Sequence, residues 1–391
     1  MTKTITDIDG VFASGIHAGI KPSAKDLAYI FVPGAVASAG TFTLNKFIAP
    51  PLIHTKKLLG KNVLKAVIVN SGNANAATGE KGLKDAKKTA ELAAQKLGIS
   101  ASEVGIASTG IIAVPLPIDK IKTGIEKMLK NPLQKNGLGA AEAIMTTDLV
   151  SKTVFLEKKI GKLNMIVSGI AKGSGMIAPN MATMLGFFVT NVKLTKAECS
   201  RFLKLAVEDS FNMITVDSDT STNDMVLLFS TGDVKLQKKD LSAFLKLLTE
   251  ACIDLAKKIV ADGEGATRVV EFVVKGALTK KDAKTVAFNV LNSPLVKTAI
   301  HGADPNWGRI FAAAGKDPSV KFSPEKVDLF FADHQLVSKG KTLPYNTQEI
   351  VSVLKQNFVT ITLNLNAGKL SARAWGCDLS KAYIDINTKY N

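Results

Sequence analysis

The sequence has few of the residues that mark disulfide frameworks, metal sites and membrane segments. Its three cysteines, Cys199, Cys252 and Cys377, form no CxxC pair, which argues against a disulfide framework and a structural zinc site. An apolar run such as residues 110–114 is far shorter than the ~20 residues that span a bilayer. Residues 1–7 contain no apolar signal-peptide stretch. We therefore predict a cytoplasmic protein with small buried thiols, no metal and no membrane partner.

Histidine and arginine are also scarce. The four histidines lie beside no Gly-x-Ser-x-Gly turn and in no HExxH pair, so neither a Ser–His–Asp hydrolase nor a zinc hydrolase is supported. The net charge is +16, yet nearly all of the 50 basic residues are lysines spread along the chain. Because base-reading proteins favour the planar fork of arginine, we predict a solvated lysine-rich surface and no nucleic-acid partner. Nucleic-acid binding stays an alternative, which a steep salt-dependent shift with DNA would favour.

Short strand-like runs alternate with amphipathic helices along the 391 residues. This mixture predicts a layered α+β protein, and the length favours two or three domains. No phosphate-binding glycine motif follows a strand, so a nucleotide fold is not supported. Periodicity predicts strands at 65–70, 105–108, 327–332, 358–365 and 369–374, a hairpin of 153–157 with 163–170, and helices at 82–97, 118–129, 195–211 and 241–261. A turn at 366–368 joins the last two strands.

The segment KGSGMIAPNMATML at 172–185 is the most informative. Gly173 gives the backbone freedom to turn sharply, and Pro179 fixes φ and favours an extended residue before it. The chain becomes apolar and strand-like after Thr183. A hydroxyl residue is thus predicted at the mouth of a buried strand, directly after an irregular loop. The pattern alone also fits an ordinary glycine-rich turn before a strand.

This segment resembles the cleavage motif of the ornithine acetyltransferase (glutamate N-acetyltransferase) family of arginine biosynthesis. Ten further segments resemble family motifs, in order and across nearly the whole chain. They are 18–21 (AGIK), 41–45 (TFTLN), 70–76 (NSGNANA), 108–110 (STG), 145–148 (MTTD), 219–224 (DTSTND), 261–267 (ADGEGAT), 294–299 (PLVKTA), 304–309 (DPNWGR) and 374–379 (AWGCDL). One short match is weak, whereas ten in order are strong.

The resemblance implies self-cleavage between Ala182 and Thr183, which gives an alpha chain of 1–182 and a beta chain of 183–391. The Thr183 hydroxyl would attack the preceding carbonyl in an N-to-O acyl shift, and water would release the ester. The liberated α-amine, with an ordinary pKa of ~8, can then take a proton from its own hydroxyl. The implied fold is a layered α/β sandwich with an N-terminal-nucleophile-like core over about 1–278 and a C-terminal α/β portion over about 279–391.

The resemblance also implies the site residues. Thr109 and Gly110 would form the oxyanion hole, through a hydroxyl and a backbone N–H. The local pattern alone, without the resemblance, indicates a strand-ending turn. The implied substrate contacts are Thr146, Lys172, Thr183, Glu264 and Asn387. Lys172 could pair with a substrate carboxylate, against the plainer alternative of an exposed lysine. Glu264 could bind a substrate amine or help to position the deacylating group, against the plainer alternative of a glycine-flanked turn.

The implied reaction moves an acetyl group from N-acetylornithine to Thr183 and then to glutamate, without a cofactor. Some family members also use acetyl-CoA as a co-substrate, and the sequence leaves both forms open. The family usually assembles as a dimer of alpha/beta pairs, a heterotetramer. The alternative is a self-processing aminopeptidase or amidase that uses water as the acceptor. The chain departs from the family at Ala77 and Ala113, which replace cysteine and glycine, and a Ser or Thr contact usual five positions beyond Asn387 has no counterpart before Asn391.

Overall fold

The computed structural model describes residues 3–130, 133–178 and 184–389. Two compact units are formed, the first by Met1–Asn212 with Asp219–Ile259 and the second by Met213–Ser218 with Val260–Asn391. The division near residue 279 suggested by the sequence lies inside the second unit. Strands and helices are mixed in the order of the chain, so the predicted α/β class is confirmed.

The first sheet of the first unit has the strand order β1-β2-β4-β5. Its strands are β1 (Phe12–Ile16), β2 (Leu27–Phe31), β4 (Ala66–Asn73) and β5 (Val104–Ile111). β4 and β5 are parallel and are joined through helix α2 (Gly79–Leu97), which ends at Gly98 in a left-handed conformation with φ +67°. Because parallel neighbours point the same way, the carboxyl ends of β4 and β5 lie side by side.

The second sheet has the order β3-β9-β8-β7-β6. Its strands are β3 (Ala37–Phe42), β6 (Lys152–Ile160), β7 (Leu163–Lys172), β8 (Leu185–Val192) and β9 (Met225–Val234). The predicted hairpin around Gly161 is confirmed as the antiparallel pair β6–β7. β7 also pairs antiparallel with β8, and β8 pairs parallel with β9. The end of β7 therefore lies beside the beginnings of β8 and β9.

The two sheets pack face to face around one apolar core. Alternate residues such as Ile30 and Val67 of the first sheet share this core with Ile170, Phe187 and Leu227 of the second. Helices cover the outer faces: α2 and α3 (Ile118–Met128) pack on the first sheet, and α5 (Lys196–Glu208) and α6 (Leu241–Ala261) lie outside the second. The first unit also contains α1 (Pro50–Lys61) and α4 (Gly137–Ala143).

The second unit contains a sheet with the order β13-β12-β11-β14-β10-β15. Its strands are β10 (Val269–Ala277), β11 (Asp328–Phe331), β12 (His334–Ser338), β13 (Lys341–Thr342), β14 (Phe358–Asn364) and β15 (Leu370–Cys377). Its helices are α7 (Lys280–Leu291), α8 (Pro294–His301), α9 (Trp307–Ala314), α10 (Thr347–Leu354) and α11 (Lys381–Thr388).

The turn predicted at 366–368 joins β14 to β15, but these strands do not pair with each other. β10 lies between them, parallel to β14 and antiparallel to β15. The turn crosses the end of β10, where the N–H groups of Ala367 and Gly368 both donate to the carbonyl of Gly276. A Cβ on Gly368 would lie 2.3 Å from the Ala277 oxygen, so this crossing requires glycine.

The three cysteines are free and buried, as predicted for small core thiols. None of the helices within the described ranges is both long and apolar enough to cross a membrane.

Candidate active site

Two sheets of the first unit meet where β5, β7 and β8 come together. Lys172, the last residue of β7, pairs in register with Leu185, the first residue of β8. The Lys172 Nζ lies 3.3 Å from the Oγ1 of Thr109, which belongs to β5 in the other sheet. Both side chains are 2% exposed. This end of the sandwich therefore holds a hydroxyl and an ammonium in contact, away from bulk water.

The contact with Lys172 determines how the Thr109 hydroxyl accepts and donates hydrogen bonds. An ammonium group has donors and no acceptor, so the Thr109 oxygen must accept in this hydrogen bond. Its own hydrogen is left to donate in another direction. Thr109 is thus set up as a hydrogen-bond donor to a third group.

Gly110 allows β4 and β5 to approach each other closely beside Thr109. Its φ is +130°, and a Cβ at this position would lie 2.3 Å from the carbonyl carbon of Gly72 and 2.5 Å from the Asn73 nitrogen. No larger residue fits there without moving the backbone of β4. Asn73 is in turn fixed, because its side-chain amide donates to the carbonyls of Val114 and Pro115 at 3.2 and 3.1 Å.

Asp148 provides the buried negative charge of the site. Its carboxylate accepts from the Lys152 Nζ at 2.7 Å and from the backbone N–H groups of Thr146 at 2.9 Å and Gly173 at 2.7 Å. Burial raises the pKa of this carboxyl, but the charges of Lys172 and Lys152 and these hydrogen bonds outweigh it and lower the pKa to about 2. Asp148 therefore stays ionised and fixes the loop that carries Thr146 and the residue after Lys172.

We expect Asp148→Asn to lower the free energy of unfolding by about 3–5 kcal/mol at neutral pH, because it leaves buried lysines without their counter-charge. The lowered pKa stabilises the fold above the ordinary value of 3.8, and this contribution is lost as the pH falls through about 2. The difference between wild type and variant, measured by urea unfolding, should therefore shrink between pH 4 and pH 2.

The control for this prediction is Asp85→Asn. Asp85 also pairs with a lysine four residues away, at 2.8 Å, but that lysine side chain, Lys81, is 62% exposed. Because the ammonium of Lys81 is largely in solvent, this pair is worth at most about 1 kcal/mol. Equal effects of the two substitutions would contradict the assigned role of Asp148.

A second buried carboxyl group, that of Asp224, lies directly before β9. Its Oδ1 accepts from the backbone N–H of Met184 at 3.0 Å, and burial raises its pKa well above the ordinary value. The adjacent Asn223 donates to the carbonyl of Ser108 at 2.9 Å, which ties this loop to the residue before Thr109. Asp148 and Asp224 belong to the family-like segments MTTD and DTSTND, but the sequence alone assigned them no role.

The structure brings together four of the predicted site residues, Thr109, Gly110, Thr146 and Lys172, in the first unit. Glu264 and Asn387 both belong to the second unit, where the Asn387 Nδ2 donates to the Glu264 Oε2 at 2.9 Å. Ala182 and Thr183 lie outside the described residues. Within the described part of the chain, no group of three or more His, Cys, Asp or Glu is placed to hold a metal ion.

Ala113 marks a position where the chain departs from the family motif. Its φ is +64°, in the left-handed region that favours glycine, and the family motif has glycine there. Ala113 N donates to the carbonyl of Ala76 at 3.0 Å, which keeps the loop after β5 against the loop after β4. Ala113 therefore adopts this left-handed conformation without being glycine, at a cost of about 1–2 kcal/mol.

Comparison with known proteins gives consistent matches. The sequence profile described as the ArgJ family matches residues 12–391. The chain is similar to the arginine biosynthesis bifunctional protein ArgJ of Parasynechococcus marenigrum, with 45% identity over 389 residues that cover 99% of this chain and 95% of that protein. A crystal structure of the ArgJ protein of Bacillus halodurans has 38% identity and a TM-score of 0.50, covering 52% of this chain and 97% of the solved one. An ornithine acetyltransferase of Mycobacterium tuberculosis, solved in complex with ornithine, has 38% identity and a TM-score of 0.41, covering 45% of this chain and 95% of the solved one.

Proposed function

The chain belongs to the ArgJ family, and on that premise we propose that it is a self-cleaving acetyltransferase of arginine biosynthesis with Thr183 as its nucleophile. It transfers the acetyl group of N-acetylornithine to glutamate, which gives ornithine and N-acetylglutamate. Because its relatives are described as bifunctional, acetyl-CoA should also be tested as an acetyl donor. The observation that carries the proposal is the contact of Thr109 with Lys172 beside the start of β8.

Self-cleavage begins when the Thr183 oxygen attacks the carbonyl carbon of Ala182. The Ala182–Thr183 peptide bond breaks, its nitrogen takes a proton, and an ester links Ala182 to the Thr183 oxygen. Water then hydrolyses this ester, leaving a carboxylate on Ala182 and a free amine and hydroxyl on Thr183. The hydrogen bond from the Met184 N–H to the Asp224 Oδ1 supports this step, because it anchors the chain directly after the nucleophile.

Acetyl transfer uses the same oxygen. The Thr183 oxygen attacks the acetyl carbonyl carbon of N-acetylornithine, and the α-amine of Thr183 takes the proton of the hydroxyl. The negative charge on the carbonyl oxygen is stabilised by the Thr109 hydroxyl and the Gly110 N–H, and ornithine leaves with the proton. The glutamate amine then attacks the acetyl ester, which restores the hydroxyl. Thr146, Lys172, Glu264 and Asn387 bind the substrates.

The cleaved products are residues 1–182 and 183–391, and we propose that two such pairs assemble into the active oligomer. The Bacillus halodurans structure supports separate chains, because 97% of that solved chain corresponds to 52% of this one. It is thus about half as long, as a cleaved product would be.

Two measurements on freshly purified wild-type protein test the proposal. Denaturing mass spectrometry should show two chains, the second of which begins Thr-Met-Leu-Gly, in place of one chain of 41.5 kDa. Labelled ornithine should exchange into N-acetylornithine without glutamate, since an acetyl-enzyme forms reversibly. A single uncleaved species contradicts self-cleavage. Cleaved protein that releases acetate to water but exchanges no label would instead be the amidase alternative.

We expect Lys172→Met to lower kcat/KM for N-acetylornithine by about 10- to 150-fold, the effect of losing one charge-assisted hydrogen bond. The hydrogen bond to Thr109 sets the direction of the oxyanion donor, so kcat should fall, and the loss of the proposed substrate contact of Lys172 should raise KM. Steady-state kinetics on the processed variant measures both. Lys162→Met, in the exposed turn between β6 and β7, is the control, and an equal loss in both variants would remove Lys172 from the site.

A further inference from the structure

The loop that contains Lys21 is fixed rigidly beside the candidate site. Asp26 is fully buried, and its carboxylate accepts three backbone hydrogen bonds, from Ala18 and Ile20 at 2.6 Å and from Lys21 at 2.9 Å. The backbone carbonyl of Asp26 also accepts from the N–H of Ser71 on β4, at 2.9 Å. One buried carboxylate thus holds the turn against the strand that ends at the site.

The side chain of Lys21 lies across the end of β4. A Cβ on Gly72 would lie only 2.7 Å from the Lys21 Cγ, so the lysine stem packs on the bare backbone of Gly72. Gly72 pairs in register with Gly110, the glycine next to Thr109. The stem therefore covers the strand that directly supports the proposed oxyanion hole.

The ammonium group of Lys21 reaches the loop that holds Thr146. Its Nζ donates to the carbonyl of Met145 at 3.0 Å, which occupies one of its three hydrogens. The side chain is half-buried, and burial lowers the pKa of Lys21, while the charges of Asp26 and Asp148 raise it and that of Lys172 lowers it. A second cation thus lies near Lys172, with hydrogens that can bind an anion.

We propose that Lys21 binds the carboxylate of the amino-acid substrate and so selects amino acids over simple amines. This inference rests on the proposed function. Lys172 is almost fully buried and contacts Thr109, whereas Lys21 is partly exposed and packs on Gly72, the β4 partner of Gly110. The two lysines therefore have different roles: Lys172 orients the oxyanion donor in addition to its substrate contact, and Lys21 recognises the carboxylate. The rigid Asp26 turn keeps the ammonium in place before substrate arrives, which reduces the ordering needed on binding.

The test compares two acetyl donors that differ only in the carboxylate, N-acetylornithine and N-acetyl-1,4-diaminobutane. Lys21→Met keeps the stem that packs on Gly72 and removes the charge. It should lower kcat/KM for N-acetylornithine by about 10- to 150-fold, the range for one charge-assisted hydrogen bond, and leave kcat/KM for the diamine derivative unchanged. Lys21→Arg should retain most of the preference for the carboxylate.

Lys25→Met is the matched control, because Lys25 lies in the same segment but pairs at 2.7 Å with Glu142 in a partly exposed contact. It should change the turnover of neither donor. Two results with Lys21→Met protein that mass spectrometry shows to be processed would overturn the inference. One is an equal loss of kcat/KM for both donors, and the other is an undiminished preference for N-acetylornithine over the diamine derivative. If Lys21→Met is not processed, Lys21→Gln gives the same comparison. Failure of wild-type protein to exchange label would count against the proposed function itself.

Discussion

Thr183→Ala is expected to yield one uncleaved chain of 41.5 kDa with no measurable acetyl transfer. The substitution removes the oxygen that attacks Ala182 in processing and the acetyl carbonyl in catalysis, so both reactions should stop together. Mass spectrometry reports the first and label exchange between ornithine and N-acetylornithine the second. Because a methyl group is all that remains of the side chain, no other atom at this position can replace the nucleophile.

Thr183→Ser is the control for this experiment. It keeps a hydroxyl at the same position and should still be processed and still exchange label, although a primary hydroxyl will change the rates. Cleavage of Thr183→Ala at the same bond would show that another group breaks it. The Thr183 assignment would then be wrong for processing, even if it held for acetyl transfer.

Thr109→Ala is expected to lower kcat for acetyl transfer by about 10²–10³, as for the loss of one oxyanion donor. The hydroxyl accepts from Lys172 at 3.3 Å, so its hydrogen can stabilise the charge that develops on the acetyl oxygen. Such an interaction exists mainly in the transition state, and KM should therefore change less than kcat. Steady-state kinetics on the processed fraction of the variant gives both values.

Thr109→Ser is the conservative variant and should stay close to wild type, because it keeps the donor and the Lys172 contact. Thermal unfolding of both variants separates a catalytic effect from a structural one. An undiminished kcat in fully processed Thr109→Ala would remove this residue from the oxyanion hole.

Local sequence patterns predicted most of the elements of the first unit. The apolar run at 65–70 and the one-faced pattern at 82–97 correspond to β4 and α2. Both could be predicted because the spacing of apolar residues in the sequence indicates which side chains are buried. Turn chemistry likewise placed Gly161 between β6 and β7. Element ends differ by a few residues, as for α2, which begins at Gly79, where a helix terminus depends on the packing of its first turn.

Strand pairing over long distances could not be predicted in the same way. The turn at 366–368 has the residues of a hairpin connection, yet β10 lies between the strands that it joins. The choice depends on β10, whose Phe272 and Val274 are completely buried, and nothing within the turn reports on a strand about ninety residues earlier. Hydrogen bonds from the turn to the Gly276 carbonyl become apparent only in the folded sheet.

The site shows the same division between local and distant information. Thr109, Gly110 and Lys172 could be named from short motifs, but the bond between Thr109 and Lys172 joins residues of two different sheets. Asp148 and Asp224 each end a short polar segment, and their importance follows from burial, which no local pattern discloses. The sequence motif around Lys21 carried no role until the contact of its stem with Gly72 was known.

The position of the cleavage bond before β8 changes the molecularity of folding. Residues Val167–Lys172 of β7 pair with Leu185–Thr190 of β8 in the middle of a sheet, so cleavage between them would leave the central strands of one sheet on two polypeptides. The uncut chain folds by a first-order process that is independent of concentration. Once cut and denatured, the same residues could re-form the sheet only by a second-order encounter, which dilution slows. Each molecule would therefore have to fold correctly before it is cut. Unfolding by heat or denaturant would be far less reversible for the processed protein than for its precursor.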